Sequence, residues 1–309
     1  MIRYIFRRVL FLIPVLIGVA FCVYTLLYLT PGDPARMILG DMATEGAIQE
    51  FRAKEGLDKP FLIQFGNYIY KAITQGDIGR SYVTKRPVAH EILTAFPATL
   101  ELSALAILVA IIIGMPCGIL SAIKQYSILD TVTMIFAMVG LSMPVFWLGL
   151  LLILYFSVYL HWLPSSGFDT FKAMILPSVA LSVQSIAMIT RMTRSSMLEV
   201  VRADYIRTAR SKGQKESVVI WVHALHNALI PVVTLCGLQF GHLLSGAILT
   251  ESIFAVPGVG RLMVESIKAR DYPMVQGGVL FVAVAFSIVN LLVDLLYAYI
   301  DPRIKAQYK

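Results

Sequence analysis

The sequence predicts an all-α polytopic membrane protein with six transmembrane helices, N- and C-termini cytoplasmic, and a small extracytoplasmic insertion between helices 1 and 2. Three observations predict it. Of 309 residues, 58% are hydrophobic and only 15% charged, against about 25% charged in soluble domains. One soluble domain cannot hide that much apolar surface. Six stretches carry no charged side chain: Val9–Leu29, Leu102–Ile123, Thr131–Leu160, Ala173–Thr190, Ala228–Thr250 and Met274–Val293, each 18 to 30 residues long. Roughly 20 apolar residues cross a bilayer as a helix, whose backbone hydrogen bonds close internally. Finally, Lys and Arg are unevenly shared between the two sides. Fourteen fall on one side, namely Arg3, Arg7, Arg8, Lys124, the seven from Arg191 to Lys215, and Arg303, Lys305 and Lys309; the two short loops opposite hold only Lys172, Arg261, Lys268 and Arg270. Positive loops stay inside, so both termini are expected there.

Taken in order, the chain divides into an N-terminal transmembrane helix (1–30), an outer insertion (31–96) and a five-helix core (97–309) containing a long inner loop, 191–227. The first apolar run of 21 residues exceeds the roughly 7–15 residues of a signal sequence, and Thr30-Pro31 follows it instead of a small-residue cleavage site, so it stays as a span. The insertion balances eight acids against eight bases. Within it Phe61, Phe65, Ile69 and Ile73 recur at helical spacing between Pro60 and Gly76, which predicts a packed helix rather than a solvated linker. Span three is long, and Pro144 near its middle predicts one bent or tilted helix. Span four is the shortest and the candidate for partial insertion; a division of span three or loss of span four would change the count by one. The pairs Gly114/Gly118 and Gly237/Gly241 would let helix backbones approach closely. Cys22, Cys117 and Cys236 all lie in apolar spans and suggest neither disulfides nor a metal site.

Few residues suggest chemistry. The net charge of +7 fits basic flanks of membrane spans, and no nucleic-acid motif accompanies it. The sequence lacks a G-x-x-x-x-G-K-[ST] loop, an H-E-x-x-H cluster and a G-x-S-x-G elbow, so no catalytic, cofactor-binding or metal residue is assigned. His223 and His226 stand three apart without a carboxylate, a surface polar pair rather than a ligand set. Asp294, Glu101 and Glu251 sit near span ends and read as structural partners of basic side chains or helix termini. Polar or kinked mid-span positions are candidates for a path: Ser142, Met143, Pro144, Gln184, Gln239 and His242. Each also suits helix packing. Scarce intramembrane charge argues against an ion-coupled carrier.

The inner loop is patterned. Met197, Val201, Tyr205 and Ala209 share one helical face, Gly213 breaks the pattern, and a second apolar face starts at Val218, Val219 and Val222 and runs through Leu225 and Leu229 into span five. Two short cation-studded helices with a glycine corner make a docking element for a cytoplasmic partner.

The run Asp204-Tyr205-Ile206-Arg207-Thr208-Ala209-Arg210-Ser211-Lys212-Gly213, followed by His223-Ala224-Leu225-His226-Asn227-Ala228-Leu229-Ile230-Pro231-Val232-Val233-Thr234, resembles the cytoplasmic loop of ABC importer permeases of the dipeptide/oligopeptide/nickel group. The likeness continues in Pro31-Gly32-Asp33-Pro34, Gly56-Leu57-Asp58-Lys59-Pro60, Gly76-Asp77-Ile78-Gly79, Glu251-Ser252-Ile253-Phe254, Pro257-Gly258-Val259-Gly260, Arg270-Asp271-Tyr272-Pro273 and Asp301-Pro302-Arg303. In that family the loop carries an EAA motif whose coupling helix sits in a cleft of the ATPase subunit. Arg207-Thr208-Ala209 replaces Glu-Ala-Ala here, Gly213 takes the motif glycine, and His226 stands where Arg is more frequent. The resemblance implies a coupling role for Asp204, Tyr205, Arg207, Thr208, Ala209, Arg210, Lys212, Gly213, His223 and Asn227. It implies four partners besides the bilayer: a second homologous permease, two ATPase subunits that bind ATP and Mg, and an extracytoplasmic substrate-binding protein. It also places the chain in a bacterial cytoplasmic membrane, importing dipeptides or oligopeptides. Glutathione or nickel chelates are alternatives within that architecture; an ion-coupled secondary carrier and a membrane enzyme are alternatives outside it.

Overall fold

The computed structural model describes residues 2–40 and 42–300. Asp41, Arg303, Lys305, Lys309 and the Asp301-Pro302-Arg303 motif lie outside the described residues, as do the side chains of Arg3, Arg7 and Arg8. Among the described residues the chain is helical, with one isolated antiparallel bridge between Arg80 and Pro87.

The first span is α1 (Ile2–Leu29). Three helices of the insertion follow: α2 (Pro34–Leu39), α3 (Glu45–Glu55) and α4 (Phe61–Gln75). Local chemistry sets their ends. Asp33 caps α2 by accepting from the Ala35 N–H, Thr44 caps α3 through Ala47, and Gly56 and Gly76 close α3 and α4 in the left-handed conformation. Span two is α5 (Val88–Ile123); α6 (Ile128–Ser142) and α7 (Val145–Leu152) come next, α7 continuing as a π-helical turn over Ile153–Tyr159. Then come α8 (Phe171–Val201), α9 (Asp204–Ser211), α10 (Glu216–Val218), a second π-helical stretch Val219–Ala224, and α11 (Leu225–Gly246). The chain ends in α12 (Ile248–Phe254), α13 (Val259–Lys268) and α14 (Tyr272–Ile300).

Among the described residues five helices are long and apolar enough to cross a membrane, and the α6/α7 pair supplies a sixth crossing if it counts as one broken span. Two expectations change. Span three is not a single bent helix: α6 and α7 meet at 102° across Met143-Pro144. Pro144 has no N–H and pushes Met143 out of the helical region, to φ −82° and ψ 124°, so the ladder stops and restarts. Span four is not the shortest, because α8 has 31 residues and runs on into the inner loop as far as Val201. Ionised Arg191 and Arg194 ended the uncharged stretch without ending the helix.

Two compact units emerge, and the chain passes between them more than once: one comprises Met1–Ala98 and Pro257–Ser287, the other Thr99–Val256 and Ile288–Lys309. In the first, α4 packs its aromatic face on α1, and Val88, Ile92, Val259, Met263 and Met274 form a core. Buried Asp271 pins the 81–83 turn, accepting from the Ser81 hydroxyl and from the Tyr82 N–H at 2.9 Å.

In the second unit, α8 is the central helix. Ala110, Ile189 and Val232 form one buried cluster. Gly114 and Gly118 let α5 lie against the α8 backbone: a Cβ on Gly114 would stand 2.9 Å from the Ile186 carbonyl oxygen, and one on Gly118 2.6 Å from that of Thr190. That is the close approach expected of small residues four apart. Gly237 faces a different neighbour, the Val293 side chain of α14.

Candidate functional site

The candidate coupling segment is built around α9. Its start has no side-chain cap, but Asp204 occupies the first turn, where a carboxylate suits the helix dipole. Its end is closed by Gly213 at φ +74°: the Gly213 N–H donates to the Arg210 carbonyl at 2.9 Å and the Gln214 N–H to that of Ala209 at 3.4 Å. Only glycine adopts that φ without strain. A Cβ there would meet nothing within 4 Å, so conformation rather than space requires the glycine.

The face expected to be buried holds at three of its four positions, Met197 being buried and Val201 and Ala209 half-buried against the same cluster, and fails at Tyr205. Met197 and Val201 belong to α8, while Tyr205 and Ala209 lie on α9, because the chain turns extended at Ala203 (ψ 150°) and resets the helical phase. Ile206 is fully buried, whereas Tyr205 is 47% exposed. Ile206 plugs into a pocket formed by Ile119 and Ala122 of α5, Met197 of α8, and Val219, Ala224 and Ala228 from the start of span five. Its absence from the expected set follows from the broken phase.

Ala209 is half-buried against the same cluster, and the other α9 side chains are exposed. Asp204 and Arg207 approach within 3.8 Å with side chains 99% and 77% exposed, an ion pair of little energetic weight. Thr208 donates back to the Asp204 carbonyl at 3.0 Å, and Lys212 lies just past the helix. Arg210 reaches out of α9 and holds Glu216 through Nε at 3.1 Å and Nη2 at 2.7 Å, closing the glycine corner. His223 and Asn227 face this segment: the His223 Nε2 is 2.7 Å from Gln214 Oε1, and Asn227 donates to the His223 carbonyl at 3.0 Å. Burial pushes the Tyr205 phenol above its ordinary value, against the opposing effect of its hydrogen bond with Asn227.

Beneath this segment lies a cluster that the sequence reading passed over. Asp130, 4% exposed at the start of α6, accepts from Arg194 Nε at 2.7 Å and Nη2 at 2.8 Å, from the Ser121 hydroxyl, and from the Tyr126 N–H at 2.9 Å. The carboxylate is thereby fully used, and α5, α6 and α8 are tied together. The same turns of α5 and α8 that carry Ser121 and Arg194 also carry Ile119, Ala122 and Met197, the seat of Ile206. One signal was available: Ser127-Ile128-Leu129-Asp130 is a helix-start pattern, and Ser127 Oγ does accept from the Asp130 N–H at 3.2 Å. Arg194 had counted only as one of the loop cations.

The path candidates gather partly. Ser142, Met143 and Pro144 form the break between α6 and α7 and line an open apolar depression of about 590 Å³ with Met138, Val139 and Trp147. Gln184 of α8 donates to the Met143 carbonyl at 3.5 Å, and its neighbour Ser185 accepts from Gln239 of α11 at 3.2 Å. Five of the six candidates thus connect through a polar lane to which Ser185 is an addition. His242 lies one turn beyond Gln239 on α11 and is exposed. Glu251, expected near an outer span end, is fully buried in α12 and accepts from the Thr99 hydroxyl at 2.7 Å.

Comparison with known proteins gives a consistent result. Residues 114–306 match the family described as binding-protein-dependent transport system inner membrane component, and residues 1–103 match the N-terminal segment of such membrane components. The chain is 48% identical to the dipeptide transport system permease protein DppB of Alkalihalophilus pseudofirmus, over 99% of this chain and 100% of that one. It is 46% identical to the glutathione transport system permease protein GsiC of Escherichia coli K12, over 99% of each. Among solved structures, an inward-facing conformation of the MetNI methionine ABC transporter superposes with a TM-score of 0.59 at 17% identity, covering 68% of this chain and 96% of that one. An amino acid ABC transporter superposes with a TM-score of 0.53 at 16% identity, covering 70% and 94%. These last two speak to the fold.

Proposed function

Because the chain belongs to the family of binding-protein-dependent transport system inner membrane components, we propose that it forms half of a translocation path for short peptides, worked by ATP-driven alternating access. It is a multi-pass inner-membrane permease subunit of an ABC importer, and a permease of this kind is not itself catalytic. In this proposal ATP and Mg bind two separate ATPase subunits, a second homologous permease supplies the other half of the path, and an extracytoplasmic protein delivers the substrate. Both termini are then cytoplasmic, residues 31–96 lie outside, and residues 191–227 reach the ATPase.

The observation that carries the coupling step is α9: a polar eight-residue helix whose narrow apolar side, fully buried Ile206 with Ala209 beside it, is set against a tied helical base. A partner that moves α9 pushes on Ile119, Ala122 and Met197, and through them on α5 and α8. The Asp130–Arg194 pair makes those helices respond together with α6. Since α6 leads to the break at Met143-Pro144, movement of the base repacks the polar lane beside it, a rigid-body route to alternating access. The lane offers a backbone carbonyl, two amides and a hydroxyl, which suits weak contacts to peptide groups while selection is left to the binding protein. The names of the two relatives supply the substrate classes, dipeptides first and glutathione second, both short peptide-bonded solutes.

Mild-detergent purification of the tagged chain from its native host tests this reading. Recovery of a sister permease and two ATPase subunits, with ATP hydrolysis stimulated by a peptide-loaded binding protein, is the expected outcome. A chain that purifies alone under equally gentle extraction, and passes substrate in vesicles on an ion gradient without ATP, is a secondary carrier and ends the proposal. Glutathione loading the co-purified binding protein in preference to dipeptides would select the second substrate.

A further inference from the structure

The insertion helix α4 has more apolar surface than its packing uses. At about 100° per residue, Phe61, Phe65 and Tyr68 share one face, and all three rings meet α1. Phe21 lies 5.7 and 5.3 Å from Phe61 and Phe65, Tyr24 lies 5.6, 5.7 and 6.1 Å from Phe61, Phe65 and Tyr68, and Tyr28 lies 5.1 Å from Phe61. The Tyr24 hydroxyl also donates to Gln64 at 3.0 Å. A second face is apolar but uncovered. Leu62 and Ile73 are each 71% exposed, with Gly66 and Ile69 on the same line, and Ile63 and Tyr70 flank it at 51% and 63%. Asn67, Lys71 and Thr74 form a third, narrow polar strip. A water-exposed surface helix needs one apolar stripe and a broad polar side; α4 has the reverse.

The depth of the first face identifies what covers the second. The apolar part of α1, Leu10–Leu29, is 20 residues long with mean hydropathy 2.6, the length that crosses a bilayer core of about 30 Å. Phe21 is eight residues short of Leu29, roughly 12 Å along the helix at about 1.5 Å per residue. Because Phe61 and Phe65 touch Phe21 as well as Tyr24, the start of α4 lies alongside the last turns of the span rather than above them. At that level the medium is lipid, and the exposed apolar surface of α1, including Phe21 and Leu26 at 40% and 66%, continues into that of α4.

We infer that α4 is a membrane-surface helix, with the Leu62–Ile69–Ile73 stripe embedded at the acyl boundary of the leaflet reached by the C-terminal end of α1, and Asn67, Lys71 and Thr74 facing water. The partner is the lipid surface itself. Tyr70 and Tyr28 then stand at headgroup level, where amphipathic rings are favoured, and Lys71 extends outward. The helix fixes the height of the insertion against the bilayer and so the height of any surface it presents.

The test uses the whole transporter complex reconstituted in lipid nanodiscs, on a background of Cys22→Ser, Cys117→Ala and Cys236→Ala that retains substrate uptake. Single cysteines at Leu62, Ile73, Asn67 and Lys71 are labelled with an environment-sensitive fluorophore. Gly66→Cys reads the same stripe should a stripe variant fail to assemble, since a side chain there meets nothing within 4 Å. Expected are a blue-shifted emission at 62, 66 and 73, quenched by lipid nitroxides placed near the headgroup and insensitive to aqueous iodide, and the opposite response at 67 and 71. Iodide quenching at 62 and 73 equal to that at 71 overturns the proposal in favour of a solvated helix. Protection from both quenchers overturns it in favour of a protein partner on that face. Uptake by the same labelled complexes keeps either failure separate from the assignment as an importer permease.

Discussion

Two short helices, α4 and α9, are each tethered to neighbouring spans, α4 by half-buried rings and α9 by buried Ile206, and their free surfaces are opposites. The 15-residue α4 carries two apolar faces and one narrow polar strip; the 8-residue α9 exposes Asp204, Arg207, Thr208, Arg210 and Ser211 and buries only Ile206. A helix that must stay on a membrane needs apolar surface on every side but one. A helix that must be gripped by a soluble partner and moved needs the reverse: one apolar pin into its own chain, and a polar exterior that costs little to leave in water between encounters. Aromatic rings spread the contact of α4 over three residues of α1, whereas the packing of α9 centres on one fully buried side chain, Ile206, with Ala209 beside it and the Arg210–Glu216 pair at its corner.

The largest effect is therefore expected at that pin. Ile206→Asp places a carboxylate in an apolar pocket without a partner, a change that the site accommodates only by releasing α9. Uptake should fall to background while the complex still forms and hydrolyses ATP; coupled uptake at the normal rate would mean that α9 does not act through Ile206. Ile206→Ala is the milder form, removing about 2–5 kcal/mol of buried contact, and should raise ATP consumed per substrate imported. Next comes the base. Asp130→Ala leaves Arg194 with its buried partner gone, a loss of about 3–5 kcal/mol for a fully buried pair and less here because the Arg194 side chain is 22% exposed. Thermal unfolding in detergent should drop by several degrees, and the Asp130→Arg, Arg194→Asp double variant should recover part of that loss; no shift at all would remove the pair from the account of a rigid base.

How far the sequence revealed these two helices differs for a physical reason. The bounds of α4 were legible to the residue, because Pro60 and Gly76 enclose an unbroken apolar pattern, but Phe61 and Phe65 pack on α1 while Ile73 is 71% exposed on a second face. The α9 helix was legible only as a helix and a glycine corner. Ala209 does pack inward, but the main buried position was misplaced because periodicity was read across the extended Ala203, which put Tyr205 in the place of Ile206. Five crossings, and a sixth if the α6/α7 pair counts as one span, were readable from uncharged length. The rupture of one of them at Met143-Pro144 was readable only as a kink, since proline announces a lost hydrogen bond and not the 102° turn that tertiary packing builds on it. Asp130 and Arg194 stayed hidden because they are 64 residues apart, and because each ended an apolar run and so looked like a flank.

A third change separates shape from conformation at the corner of α9. The space around Gly213 is open and its φ is +74°, so Gly213→Ala and Gly213→Leu should weaken coupling alike, each by about the 1–2 kcal/mol that a left-handed residue with a Cβ costs. Gly213→Asn, whose side chain tolerates that region, should be milder. A graded loss from Ala to Leu in the uptake-to-ATPase ratio would instead point to a bulk-sensitive contact with a partner at this corner.

The smallest effect is expected in the insertion beside α4, where α2 and α3 are joined by charge and not by rings. Asp33, the cap of α2, also receives Arg52 of α3 at 2.7 Å. Partial burial pushes the Asp33 carboxyl upward, but the Arg52 hydrogen bond and the Ala35 N–H outweigh it and hold the group below its ordinary value. The folded state therefore binds the proton less readily than the unfolded one. The stabilisation is complete above the unfolded carboxylate value, about pH 4, and is lost as pH falls through the lower folded value. Hydrogen exchange at the amides of Ala35 and Arg36 should accelerate on acidification through that window, and Asp33→Asn should remove the pH dependence while leaving uptake at neutral pH nearly unchanged. Rings and lipid contact hold α4 independently of this pair, so the labels on its apolar stripe should keep their blue-shifted emission through the same titration; a red shift in step with Asp33 would show that the placement of α4 depends on that ion pair after all.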